Sequence, residues 1–179
     1  MLQRIVDDDV PAIVSLMNRA YRGAGASAGW TREDYIAGDR ITENLLRADL
    51  LAKPRGSFMK WVVEPDGQVA GCVWLEPEKN RSWYLGSLAT DPDRQNTGLG
   101  RTLLAAAERW IVSQGGTRVR LTVVDARETL IAWYVRRGYH LTGESEPFPD
   151  GDERFGRLLR HDLRFLFLEK NLAPGYDAP

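Results

Sequence analysis

Apolar positions along the chain follow two periods, and the changes between them mark the elements. Residues 2–6 read as a short strand. Asp7 to Asp9 offer N-caps for a helix with Val10, Ile13, Val14, Met17 and Tyr21 at spacings of three and four. Pro11 falls in its first turn, where a missing N–H costs nothing. A small-residue loop spans 23–29, and Thr31 and Thr42 then read as N-caps of two short helices. The second of these carries Leu45, Leu46, Leu50 and Leu51, and Pro54 closes the region. From there the period drops to two. Residues 58–64 and 68–76 flank Pro65-Asp66-Gly67, a hairpin signal, and 82–90 is a third consecutive strand.

The second half alternates between the two periods. Gly98 opens a helix running to Gln114, with Leu99, Leu103, Ala106, Ala107 and Trp110 on one face, and Gly115-Gly116 stops it. Residues 118–124 alternate as a strand, 128–137 form a helix ended by Gly138, and 139–143 resume strand. A polar loop over 144–160 leads to a final apolar strand at 161–168. No internal repeat or linker divides the chain, so 1–172 is expected to be a single mixed α/β domain, with 173–179 a frayed tail.

Composition narrows the classes of function. A net charge of −1 provides no field for nucleic acid or an anionic membrane, and no apolar run approaches the roughly 20 residues of a membrane span. The first residues lack the apolar core of a secretory signal. Cys72 is the one cysteine, which removes an internal disulfide and a cysteine-based zinc site, and a reducing cytoplasm is the simplest compartment. His140 and His161 are too few for a metal centre without carboxylate partners, so no metal is expected. Arginine far outnumbers lysine, a bias open to two readings: genome base composition, or planar groups suited to phosphate.

Chemistry concentrates where the third strand runs through Asp91-Pro92-Asp93 into Gln95-Asn96-Thr97-Gly98-Leu99-Gly100-Arg101. A helix start leaves N–H groups unpaired and carries partial positive charge, and glycines there let a phosphate approach the backbone. The spacing excludes two common nucleotide sites. A Walker loop lacks its first glycine and its lysine, and a dinucleotide fingerprint would need glycine where Leu103 stands.

What does fit is Gln-x-x-Gly-x-Gly after a strand, followed by Ala132-Trp133-Tyr134-Val135-Arg136-Arg137-Gly138-Tyr139. This ordered pair resembles the GNAT superfamily of acetyl-CoA-dependent N-acetyltransferases, closely over 58–143 and more loosely toward both ends. The resemblance implies a central, mostly antiparallel sheet of about seven strands flanked by helices and splayed between strands four and five. It implies acetyl-CoA as co-substrate and a primary amine as acceptor, attacked directly in a ternary complex. Leu88, Ala89 and Thr90 would pair with the pantetheine arm, with the Leu88 N–H aimed at the thioester oxygen. Gln95, Asn96, Thr97, Gly98, Leu99 and Gly100 would wrap the pyrophosphate, with Arg101 close by. Tyr134 would protonate the departing thiolate. Homodimerisation is expected only by analogy with relatives that pair.

Two positions depart from the family pattern. Arg127 stands where an asparagine often contacts pantetheine; it either reaches a phosphate or is solvated. Tyr84 stands where histone-acetylating relatives carry a glutamate base, which leaves Glu76, Asp125 and Glu144 as unranked carboxylates. Trp30, Arg40 and Tyr84 are expected to line the acceptor site, although an Arg40 salt bridge with Asp34 or Asp39 is an equal reading. The acceptor stays unnamed, a small molecule being favoured over a protein. A non-catalytic acyl-CoA-binding sensor is the alternative.

Overall fold

Alternation in the middle of the chain becomes a hairpin-linked sheet, and the helices cover its two faces. A computed structural model describes residues 1–23, 32–65, 67–94, 96–149 and 156–172. In chain order the elements are β1 (Leu2–Arg4), α1 (Val10–Arg22), β2 (Ile36–Ala37), α2 (Glu43–Ala52), β3 (Ser57–Val63), β4 (Gln68–Pro77) and β5 (Ser82–Thr90). There follow α3 (Leu99–Ser113), β6 (Arg118–Val124), α4 (Glu128–Val135), β7 (His140–Pro147), β8 (Arg157–Leu158) and β9 (Arg164–Asn171). Seven strands form one sheet in the order β1-β3-β4-β5-β6-β9-β7, and β2 pairs separately with β8. Every pairing in the large sheet is antiparallel except β5 with β6. Those two are its fourth and fifth strands in chain order. Among the described residues no helix is long and apolar enough to cross a membrane.

Side-chain alternation divides the core between the two faces. From β4, Val73 and Leu75 join Leu103, Leu104, Ala107, Ile111, Leu121 and Tyr134 under α3 and α4. Cys72 and Trp74 join Val10, Ile13, Met17, Leu46 and Phe58 under α1 and α2. In β5 the alternation changes phase. Trp83 and Leu85 face α3, yet so does Leu88, whereas Tyr84 and Ala89 face α1. The register with β4 slips at this point: Trp74 opposes Gly86, Cys72 opposes Ala89, and Ser87 adopts φ 48°. A bulge with one extra residue re-aims every side chain after it. Here it turns Leu88 to the α3 face.

Several sequence expectations need revision. The helix expected from Thr31 is not found over 32–40, Thr31 itself lying outside the described residues. The Glu33 N–H donates instead to the Tyr21 carbonyl at 3.0 Å, Gly38 takes φ 93°, and Ile36 packs with Val124, Phe148, Leu158 and Leu163. Asp9 is the N-cap residue of α1 as expected, but its side chain makes no capping bond to that helix; it accepts from the Val6 N–H at 2.8 Å and pairs with Lys60. Thr42 does cap, accepting from the Leu45 N–H at 3.3 Å. Leu46 is the buried residue of α2, while Leu51 is 82% exposed. The expected polar loop contributes the end of β7 and all of β8, and the last strand runs 164–171 rather than 161–168. The expected tail, 173–179, lies outside the described residues.

Candidate active site

β5 and β6 are parallel partners only at their first three residues, Ser82, Trp83 and Tyr84 against Arg118, Val119 and Arg120. Both strands continue, but no ladder joins them. The sheet splits, and a cavity of about 970 Å³ occupies the gap. At its root the Tyr84 hydroxyl and Thr122 Oγ1 are hydrogen-bonded across the split at 3.0 Å. Through this opening the two faces of the sheet share one chamber, so reactants can meet from opposite sides.

On the α3 side the chamber ends at the helix mouth. Gly98 is the N-cap at φ 81°, a conformation that side chains resist, and among the described residues no side chain caps α3. Asn96 is also left-handed at φ 62°. The first-turn N–H groups of an uncapped helix point outward with partial positive charge. Arg94, Asn96, Gly98, Leu99, Gly100 and Arg101 line the cavity here, together with Arg136 and Arg137 at the end of α4. Burial, then Arg136 and Arg101, pull the Arg137 pKa below its ordinary value. Cations held together against their repulsion, beside unpaired N–H groups, fit a pyrophosphate. The Arg137 guanidinium also stacks 3.7 Å from the Trp133 ring centroid and donates to the Trp133 carbonyl at 2.7 Å. Gln95 lies outside the described residues.

Tyr134 sits between the two ends. Trp133 and Tyr139 hold its ring edge-on, with centroids 5.0 and 5.4 Å away. Among the described residues its hydroxyl has no hydrogen-bond partner. Burial, then the neighbouring Tyr21, pushes its pKa up, so the phenol keeps its proton. Beside it, the Tyr21 hydroxyl donates to the Leu88 carbonyl at 3.0 Å, tying the bulged end of β5 to α1.

The α1 side of the chamber is polar. Glu33 is buried and ion-paired with both Arg22 and Arg127, the latter at 3.5 Å. Arg127 thus lies beside Glu33 and over the Tyr21 ring, 5.9 Å from its centroid. Arg40 lies over the same ring at 5.4 Å. Neither Asp34 nor Asp39 pairs with Arg40; Asp34 pairs with Arg32. Of the three carboxylates left open by sequence, Glu76 alone lines the cavity. It stands opposite Tyr84 in the β4–β5 register and accepts from Lys53 Nζ at 2.8 Å and Trp74 Nε1 at 3.2 Å. Glu144 pairs outward with Arg120, and Asp125 Oδ1 accepts from the backbone N–H groups of Ala126 and Arg164. Burial raises the Cys72 thiol to about 12, unfit for a nucleophile. Trp30 lies outside the described residues.

Of the residues singled out by sequence, the structure brings Leu88, Thr90, Asn96, Gly98, Leu99, Gly100, Arg101, Tyr134, Arg127, Arg40 and Tyr84 to one cavity; Ala89, packed in the core on the α1 side, and Thr97 do not line it. Sequence reasoning gave no role to Tyr21, Glu33, Thr122, Arg136 and Arg137. Arg136 and Arg137 stood inside the second motif, and two consecutive arginines there were the available signal. Glu33 had none, because its burial depends on the non-helical path of 32–40.

Comparison with known proteins agrees with this geometry. The model of the acetyltransferase (GNAT) family matches residues 11–139. Mycothiol acetyltransferase from Clavibacter michiganensis is 30% identical over 77% of this chain and 42% of its own length. The enzyme of the same name from Rhodococcus jostii is 27% identical over 76% of this chain and 43% of its own. The chain therefore spans about two fifths of the length of these curated relatives. The structure of the ribosomal-protein-S18-alanine N-acetyltransferase from Escherichia coli superposes with a TM-score of 0.70 at 19% identity, covering 97% of this chain and 94% of that one, and shares the fold. Family match, split sheet and arginine-flanked helix mouth converge: the chain belongs to the acetyltransferase (GNAT) family.

Proposed function

We propose that the chain transfers an acetyl group from acetyl-CoA to the primary amine of a small molecule, by direct attack in a ternary complex. The observation that carries this reading is the split between β5 and β6, with a phosphate-suited helix mouth on one side and a polar chamber on the other. The mycothiol acetyltransferase relatives support a small acceptor, and the buried single cysteine suits a reducing cytoplasm.

Acetyl-CoA supplies an activated thioester. The N–H groups at 96–101, with Arg101, Arg136 and Arg137, hold its pyrophosphate. Leu88, Ala89 and Thr90 have no β6 partner and offer that side of the strand to the pantetheine, and the Leu88 N–H stabilises charge developing on the thioester oxygen. One such donor contributes on the order of 3 kcal/mol. Tyr134 passes its proton to the departing sulfur. Glu76, cross-strand from Tyr84, is the carboxylate best situated to collect the amine proton, through water. Arg127 is assigned to holding Glu33 and the Tyr21 ring.

The test is acetyl-CoA-dependent CoA release across a panel of small primary amines. Acceptor-dependent release supports the reading. Acetyl-CoA binding with no release from any amine would instead establish the non-catalytic acyl-CoA sensor.

A further inference from the structure

Arg40 stands apart from the other cations at the α1 end of the chamber. Arg22 and Arg127 share Glu33, and Lys53 pairs with Glu76. The Arg40 guanidinium lies over the Tyr21 ring face, and among the described residues no carboxylate comes within ion-pair distance of it. A ring face stabilises a cation modestly and leaves the in-plane N–H donors of the fork available. The arginines suited to the pyrophosphate lie at the mouth of α3, on the other face of the sheet. The Arg40 fork is therefore available to a different anion.

A second cavity of about 300 Å³ adjoins the first and shares Arg40, Lys53, Tyr84 and Ser87 with it. Its remaining wall is mostly apolar: Ile41, Leu45, Leu46, Phe58 and Trp74, with Asp49 alongside. Asp49 makes no ion pair with Arg40. The Phe58 and Trp74 rings stand 6.0 Å apart, tilted against each other, and both line this space, with Lys53 Nζ 5.9 Å over the Trp74 ring. An unpaired guanidinium at the threshold of an apolar recess calls for a ligand with an anion beside a bulky apolar group.

We propose that the acceptor is a free α-amino acid with an aromatic or branched apolar side chain. Its carboxylate would sit on Arg40 and its side chain in the smaller cavity, leaving the amine facing the split between β5 and β6. This rests on the acetyltransferase reading and narrows its substrate class.

The experiment measures kcat/KM for CoA release with phenylalanine, leucine and glycine, and with the amides of the first two. The proposal expects each acid to exceed its amide by roughly tenfold or more, the scale of a charge-assisted hydrogen bond. It also expects phenylalanine and leucine to exceed glycine. In Arg40→Gln the acid-to-amide ratio should collapse toward one through a raised KM for the acids, and Arg40→Lys should recover part of it. Amides used as well as acids by the unaltered protein, or an unchanged ratio in Arg40→Gln, would overturn the anion site. Glycine matching phenylalanine would overturn the recess. If acetyl-CoA binds and no amine of any kind releases CoA, the acetyltransferase reading itself falls, and this proposal with it.

Discussion

Replacing Tyr134 with phenylalanine removes one oxygen from a side chain that is 4% exposed. The edge-on contacts to Trp133 and Tyr139 involve the ring, which phenylalanine retains. The hydroxyl has no hydrogen-bond partner among the described residues, so its loss orphans no buried group. Stability should change by less than about 1 kcal/mol, because the destabilising part of such a deletion is the partner left unsatisfied. Catalysis should respond differently. A positioned general acid contributes about 10²- to 10⁴-fold, and a thiolate needs less help than an amide nitrogen, so we expect a 10- to 100-fold fall in kcat, about 1.4 to 2.7 kcal/mol. Burial raises the Tyr134 pKa, so the phenol stays protonated up to and beyond the ordinary tyrosine value of about 10. The unaltered protein should then show no alkaline loss of rate from this group below that pH. The assay is steady-state CoA release, with acetyl-CoA Kd by titration and Tm by calorimetry on the same samples. An unchanged kcat would remove Tyr134 as the acid. A fall in kcat matched by a loss of cofactor affinity or several degrees of Tm would mean that the hydroxyl is structural.

Three further outcomes follow from the same geometry. At Gly98 an added Cβ meets only Arg101 Nη2 at 3.7 Å, so space is not the obstacle, but φ 81° is; Gly98→Ala should cost roughly 1 kcal/mol, and Gly98→Trp should abolish acetyl-CoA binding by titration while far-ultraviolet dichroism stays native. Glu76→Gln should lower kcat/KM at neutral pH and close the deficit as pH rises, when the amine loses its proton unaided; a deficit constant with pH would assign Glu76 to the Lys53 pair alone. Glu108, 1% exposed, accepts from Lys170 at 2.9 Å and from the Tyr139 hydroxyl at 2.9 Å; Glu108→Ala should cost about 3 kcal/mol by urea denaturation, and Glu108→Leu with Lys170→Met should recover most of it.

Legibility in the sequence followed the range of the interactions involved. The hairpin at β3 and β4, the helix from the glycine turn, and the cap at Thr42 are local matters of period and turn chemistry, and all are as expected. Two features were not local. Glu108 and Lys170 lie 62 residues apart and are buried because each neutralises the other, a pairing that no local spacing announces. The bulge at Ser87 leaves no composition signal, since serine is an ordinary strand residue. Yet it is what rotates Leu88 to the α3 face and makes the end of β5 a candidate backbone surface for a thioester.

The unequal reading of the two reactants has the same cause. A pyrophosphate is recognised largely by backbone N–H groups, and backbone geometry at a helix start is written in a few adjacent residues, here Asn96 to Arg101. An amine is recognised by side chains, and those at the α1 end come from four separate segments: Tyr21 from α1, Glu33 and Arg40 from the connection around β2, Glu76 from β4 and Arg127 at the start of α4. No spacing rule relates them. What relates them is charge neutralisation. Glu33 is buried between Arg22 and Arg127, and once they are committed to it, Arg40 is left without an ion-pair partner at the α1 end of the chamber among the described residues. The acceptor reading therefore comes from asking which charge the fold leaves unanswered, a question that becomes answerable only when every other pair has been placed.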